Sequence, residues 1–180
     1  MKKVLLSLAI AAGIGLLQTA QAQDAPAPSP ASELSQKVGL TDITVVYSRP
    51  GMKGRTIFAA DGLIPFGEIW RTGANQATKI SFSTQVMMGG ATLDAGDYAI
   101  LSKPGKEEWE VMFFPFEGAG WGGYRQKTPA ATVKVEPMKI SPEVETFTID
   151  IQNIRDESAT LNFIWENTEV AVPFSVEKTW

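Results

Sequence analysis

The chain has 180 residues, 44% of them hydrophobic and 20% charged, which suits one ordinary globular domain. It contains no histidine and no cysteine, so disulfides, thiolate or imidazole metal sites, Ser-His-Asp triads and Cys-His dyads are excluded. With 16 basic and 20 acidic side chains the formal net charge is −4, which argues against nucleic acid or an anionic membrane surface as a partner.

In chain order, the first predicted element is an export signal over residues 1–22. Lys2 and Lys3 form a positive start, residues 4–17 are apolar, and Ala20-Gln21-Ala22 supplies the small-x-small pattern that precedes cleavage. That apolar run is shorter than the roughly 20 residues a bilayer span needs, and no cysteine is present to carry a lipoprotein anchor. The expectation is a periplasmic or secreted protein with no membrane span, whose net charge after cleavage is −6, from 14 basic and 20 acidic groups. Residues 23–40 begin QDAPAPSPAS, with little bulky apolar content, and read as an extended tether and lead-in. Residues 41–180 read as the folded domain.

From Thr41 onward, short β-branched and aromatic runs alternate with Gly, Pro, Asn and Asp clusters about every ten residues, an all-β rhythm. The runs at 43–47 and 56–58 come first. Thr78, Ile80 and Phe82 then alternate with Lys79, Ser81 and Ser83. Gly89-Gly90 marks a hairpin turn, and a second turn precedes the run at 98–101. Trp109, Val111 and Phe113 predict a central strand, its far end buried on both faces by Phe114. Further strands are expected at 131–135, 144–151, 159–166 and 168–176. No window outside the export signal has the spacing of an amphipathic helix. The expected fold is therefore a two-sheet β-sandwich of about nine or ten strands, jelly-roll-like or Ig-like, with an open barrel as the alternative.

Three of the five arginines, Arg49, Arg55 and Arg71, fall within 23 residues beside Lys53, in a chain of opposite overall sign. Guanidinium forks match carboxylate and phosphate oxygens in pairs, so such a cluster can form an anion clamp; equally, it can fasten loops through Glu68, Asp61 or a distant carboxylate. In Trp70-Arg71-Thr72-Gly73-Ala74-Asn75, alternation sends Trp70 and Arg71 to opposite faces, with Thr72 and Asn75 free to close the turn or meet a ligand. The stretch Gly118-Ala119-Gly120-Trp121-Gly122-Gly123-Tyr124-Arg125 presents two aromatics amid glycines, either as a sugar-stacking surface or as a loop folded back on the sandwich. Trp109 and Trp165 are expected in the core.

These motifs resemble one family. Ser48-Arg49-Pro50, Lys53-Gly54-Arg55, Leu63-Ile64-Pro65-Phe66-Gly67, the segment at 70–75 with Ala77-Thr78, and Leu93-Asp94-Ala95-Gly96-Asp97-Tyr98 are similar to the domain of unknown function 2911 family, as are Glu108-Trp109, Trp121-Gly122, Tyr124 and Val144-Glu145. Gln76 and Asp97 depart from its pattern, where an acidic residue and a threonine are expected. The resemblance implies an exported bacterial protein and supplies no activity. Arg49, Lys53, Arg55, Arg71, Thr72, Asn75, Trp121 and Tyr124 are thus the candidate ligand-binding residues, for an anionic small molecule or carbohydrate. No cofactor or metal is implied. Two other classes stay open: a hydrolase or isomerase using Glu68 or Glu166 as acid or base, and an envelope assembly protein using an exposed sheet edge.

Overall fold

The computed structural model describes residues 26–177. The expected export signal over residues 1–22 and the first residues of the expected tether lie outside them, as does Trp180. Two main antiparallel sheets face each other. The larger takes β1 (Ala31–Val38), β2 (Thr41–Ser48), β5 (Thr78–Phe82), β8 (Gly96–Lys103), β9 (Trp109–Pro115) and β10 (Ala131–Val135), in that spatial order. The smaller has the order β11 (Met138–Gln152), β12 (Ser158–Val176), β6 (Val86–Met88) and β7 (Ala91–Leu93). A short parallel pair, β3 (Phe58–Ala59) and β4 (Ile64–Pro65), sits in the connection between β2 and β5. Ten strands in two sheets match the sandwich expected from the alternation pattern.

One core joins the sheets. Val45, Ile80, Ile100, Trp109 and Phe113 from the larger sheet and Phe147, Leu161, Phe163, Trp165 and Phe174 from the smaller all belong to it. Each is every second residue of its strand, so burial follows directly from the pleat. A cluster of Trp70, Trp109, Trp165, Phe58 and Phe147 closes one region of it, with Trp70 stacked on Trp165 at 5.9 Å and edge-on to Phe147 at 4.9 Å. β9 lies between β8 and β10, with Phe113 buried on the inner face and Phe114 on the outer. At the β6–β7 hairpin, Gly89 and Gly90 have φ of 60° and 79°, the left-handed pair that a two-residue turn with the right twist requires.

Two elements differ from the sequence expectation. Within the expected lead-in, residues 31–38 form an edge strand hydrogen-bonded along β2 from Ala31↔Ser48 to Val38↔Thr41. Only Val38 is fully buried and Leu34 packs against the core, so the apolar signal is thin; backbone pairing at a sheet edge holds the rest. The runs at 159–166 and 168–176 form one strand, β12, rather than two. Glu166 adopts φ 55° in its middle, and the pairing passes from β11 to β6 along its length. The register with β11 shifts around Glu166, and the buried positions change from odd (159–165) to even (170–176), which explains the interrupted pattern.

Candidate functional site

The segment at 70–75 leaves the larger sheet at a tight corner. Trp70 exchanges backbone hydrogen bonds with Ser102, at 2.7 and 2.9 Å, so it behaves as a strand residue: its ring enters the core and Arg71 projects to the outer face. Thr72 follows with φ 52°, a conformation that a β-branched residue resists at a cost of about 1–3 kcal/mol. Two buried hydrogen bonds hold it there: its hydroxyl donates to Ser102 Oγ at 2.9 Å, and its carbonyl accepts from Thr78 Oγ1 at 2.6 Å. Trp70 Nε1 donates to Gly73 O at 2.9 Å. At Gly73, φ is 153° and an added Cβ would lie 3.0 Å from Thr78 Oγ1 and 3.1 Å from Ser48 O, so a side chain here is strained and crowds both neighbours. Asn75, at φ 59°, donates to Ser29 O and Ser48 Oγ, tying the corner to the residues before β1 and to the end of β2.

Arg71 therefore stands on the outer face of the larger sheet. There a second apolar cluster, Ala77, Ala99, Leu101, Phe114 and Tyr124, is covered by a six-residue 3-10 helix, Trp121–Gln126. Tyr124 is buried: its hydroxyl donates to Gly118 O and accepts from Glu117 N, both at 2.8 Å, closing the glycine-rich loop on itself, while its ring packs on Phe114 of the sheet. Trp121 packs against this cluster while staying partly open, and two guanidinium groups lie over its ring, Arg71 at 5.4 Å and Arg125 at 5.6 Å from the centroid. Indole is the ring that attracts cations best, and guanidinium the cation found over it more often. The two guanidinium groups also make the ring a positive platform.

The arginines divide by what they hold. Arg49 joins the sheets, donating from Nε to Phe147 O at 3.0 Å and from a terminal nitrogen to Thr148 Oγ1 at 2.7 Å. Arg55 closes its own loop on Met52 O and Gly51 O at 2.8 and 2.7 Å. Neither has a carboxylate partner, nor do Arg71 and Arg125: among the described residues the ion pairs are made by lysines, such as Lys79–Asp97 and Lys134–Glu108. Arg71 Nε is buried without a hydrogen-bond partner, a costly state for a charged donor.

Of the candidate residues, Arg55 and Arg71 border a common cleft of about 260 Å³, floored by Trp70 and Trp165 and flanked by Ser29 and Pro50. Arg71 and Trp121 meet on the outer face. Thr72 and Tyr124 are buried supports, Asn75 braces the corner, Arg49 bridges the sheets, and Lys53 is exposed in a turn where its N–H donates to Glu145 Oε1. Arg125, which ends the glycine-rich stretch but is not among the candidate ligand-binding residues, joins Arg71 at the Trp121 ring. The two carboxylates considered as acid or base have other surroundings. Glu166 accepts from the Ile57 and Phe58 amides at 3.1 and 3.3 Å, and Glu68 is exposed. Among the described residues no three acidic side chains gather as a metal site, and no helix is long and apolar enough to cross a membrane.

No curated protein and no solved structure matches the chain. One family does, over residues 29–174, from just before β1 to within β12. The chain thus belongs to the family described as protein of unknown function (DUF2911), which spans both sheets, the corner at 70–75 and the Trp121 helix.

Proposed function

We propose that this is an exported binding module that holds an anionic small molecule, such as a carboxylate or a sugar acid, at Arg71 and Arg125 on the Trp121 platform. One observation carries the reading: Arg71 and Arg125 lie over one indole with no carboxylate among the described residues to neutralise either, and Arg71 Nε is buried without a partner among them. An anion supplies the missing charge and the acceptors, in the paired geometry that guanidinium favours. The strained Thr72 supports the same assignment, since its two buried hydrogen bonds set the direction in which Arg71 leaves the sheet. Because guanidinium already covers Trp121, a carbohydrate is held here by its acidic group rather than by stacking on a bare ring. Export rests on the reading of residues 1–22. Glu166 supports binding rather than turnover, being committed to two backbone amides.

The test is a titration with glucuronate and citrate at low and high salt. Arg71→Ala and Arg125→Ala each lower affinity by about tenfold or more, the worth of a hydrogen bond to a charged group, and added salt weakens the wild type. Unchanged affinity in a folded Arg71→Ala protein overturns the assignment.

A further inference from the structure

Beside the Trp121 platform, the outer face of the larger sheet carries a groove of about 230 Å³ whose lining includes Val46, Ser48, Ala77, Phe116 and Ala119. Its floor is apolar for a structural reason. Val46 lies on β2, an interior strand, and points away from the core, so its side chain is left 37% exposed where a solvated sheet face normally places a polar residue. The groove and the platform share their foundations: Ala77 and Phe116 belong with Trp121 to the outer apolar cluster, and Ala77 N donates to Ala119 O at 3.0 Å, two residues before Trp121. Lys79, which also borders the groove, lies over the Phe116 ring at 5.7 Å and is neutralised by Asp97 at 3.3 Å. Among the described residues, the unneutralised positive charge around the outer apolar cluster therefore sits on Arg71 and Arg125, on the same face as the apolar trough.

We propose that the ligand is an amphipathic anion, its carboxylate on Arg71 and Arg125 and its apolar body in the groove over Val46, Ala77 and Phe116. The inference rests on the anion-binding reading and adds the ligand's class. At roughly 30 Å³ for each water displaced, the groove holds about eight waters, so a single ring or a short acyl chain fills it. Longer chains gain nothing once it is full.

The experiment is an NMR titration of the full chain with acetate, butanoate, hexanoate, octanoate and decanoate, and with hexanamide as the uncharged match. Affinity rises by up to about fourfold per methylene, the full transfer value, and then levels off. Val46→Gln and the isosteric Val46→Thr, both at an exposed strand position, reduce that slope and leave acetate binding and its dependence on Arg71 unchanged. Binding of carboxylates that depends on Arg71 but not on chain length overturns this inference and leaves the proposed function standing. Hexanamide binding as tightly as hexanoate overturns the amphipathic assignment, and no response to any carboxylate, glucuronate and citrate included, overturns both.

Discussion

Trp70 and Trp121 stand on opposite sides of the six-stranded sheet, and their neighbours are opposite in kind. Trp70 is walled in by Trp165, Trp109, Phe147 and Phe58, and its one polar atom is matched by Gly73 O. Trp121 packs against an apolar cluster and has two guanidinium groups within cation–π range of its ring, with neither charge matched by a carboxylate among the described residues. The inner assembly has every requirement met within the protein and serves stability. The outer one has charge and a buried donor without partners among the described residues, beside exposed apolar surface. Adjacent residues, Trp70 and Arg71, feed the two assemblies, so the corner at 70–75 couples them.

The largest expected effect breaks the inner side. Trp165→Ala removes a ring only 1% exposed from the centre of the aromatic cluster and costs about 3–5 kcal/mol, read as a shift in the denaturant midpoint at constant slope. Next comes Glu166→Gln. The amide keeps one acceptor where two backbone N–H groups now meet a carboxylate, so about 1.5–3 kcal/mol is lost in the same measurement. Trp121→Ala sharpens the contrast, because its ring is only partly covered: stability falls by about 1–2 kcal/mol, well below the Trp165 value, whereas anion affinity falls as in Arg71→Ala. Equal losses at Trp121 and Trp165 would refute the division between a structural and a receptive side.

The smallest effect is a pH dependence on the outer face. The Ser81 hydroxyl, and after it Lys79, hold the Asp97 carboxyl below its ordinary value, against the opposing effect of burial. A carboxyl lowered on folding adds stability above its unfolded pKa, and that stability disappears as pH falls through the folded value. The loss therefore lies below about pH 4 and is small, since the pair is exposed to solvent. Comparing the acid limbs of wild-type and Asp97→Asn unfolding curves checks it: the variant's limb is flatter.

Much of the fold was legible because strand alternation is local. Thr78, Ile80 and Phe82 face inward as their spacing requires, Gly89-Gly90 turns the β6–β7 hairpin, and Trp109 and Trp165 are in the core. The opposite orientations of Trp70 and Arg71 follow from the same period. β1 is hard to read because an edge strand with one fully buried residue carries little apolar signal, and β12 reads as two strands because the alternation changes phase at Glu166. Among the candidate residues, the chemistry of Thr72, Asn75 and Tyr124 suits either a ligand or a loop brace. Here all three brace, through bonds to Ser102, Ser48 and Gly118, residues 30, 27 and 6 positions away.

What the chain determines by itself is the class of fold and the inward half of each strand, since side chains two apart share a face whatever lies across the sheet. Its composition also removes every chemistry that needs imidazole or thiol. Only the tertiary structure decided which arginines remain uncommitted. Arg49 found acceptors on a strand nearly a hundred residues away, Arg55 found them within its own loop, and Arg71 met Arg125 across Trp121. Whether a charge is spent or left over depends on which distant carbonyls and carboxylates the packing brings within hydrogen-bond reach, and local spacing carries no information about that.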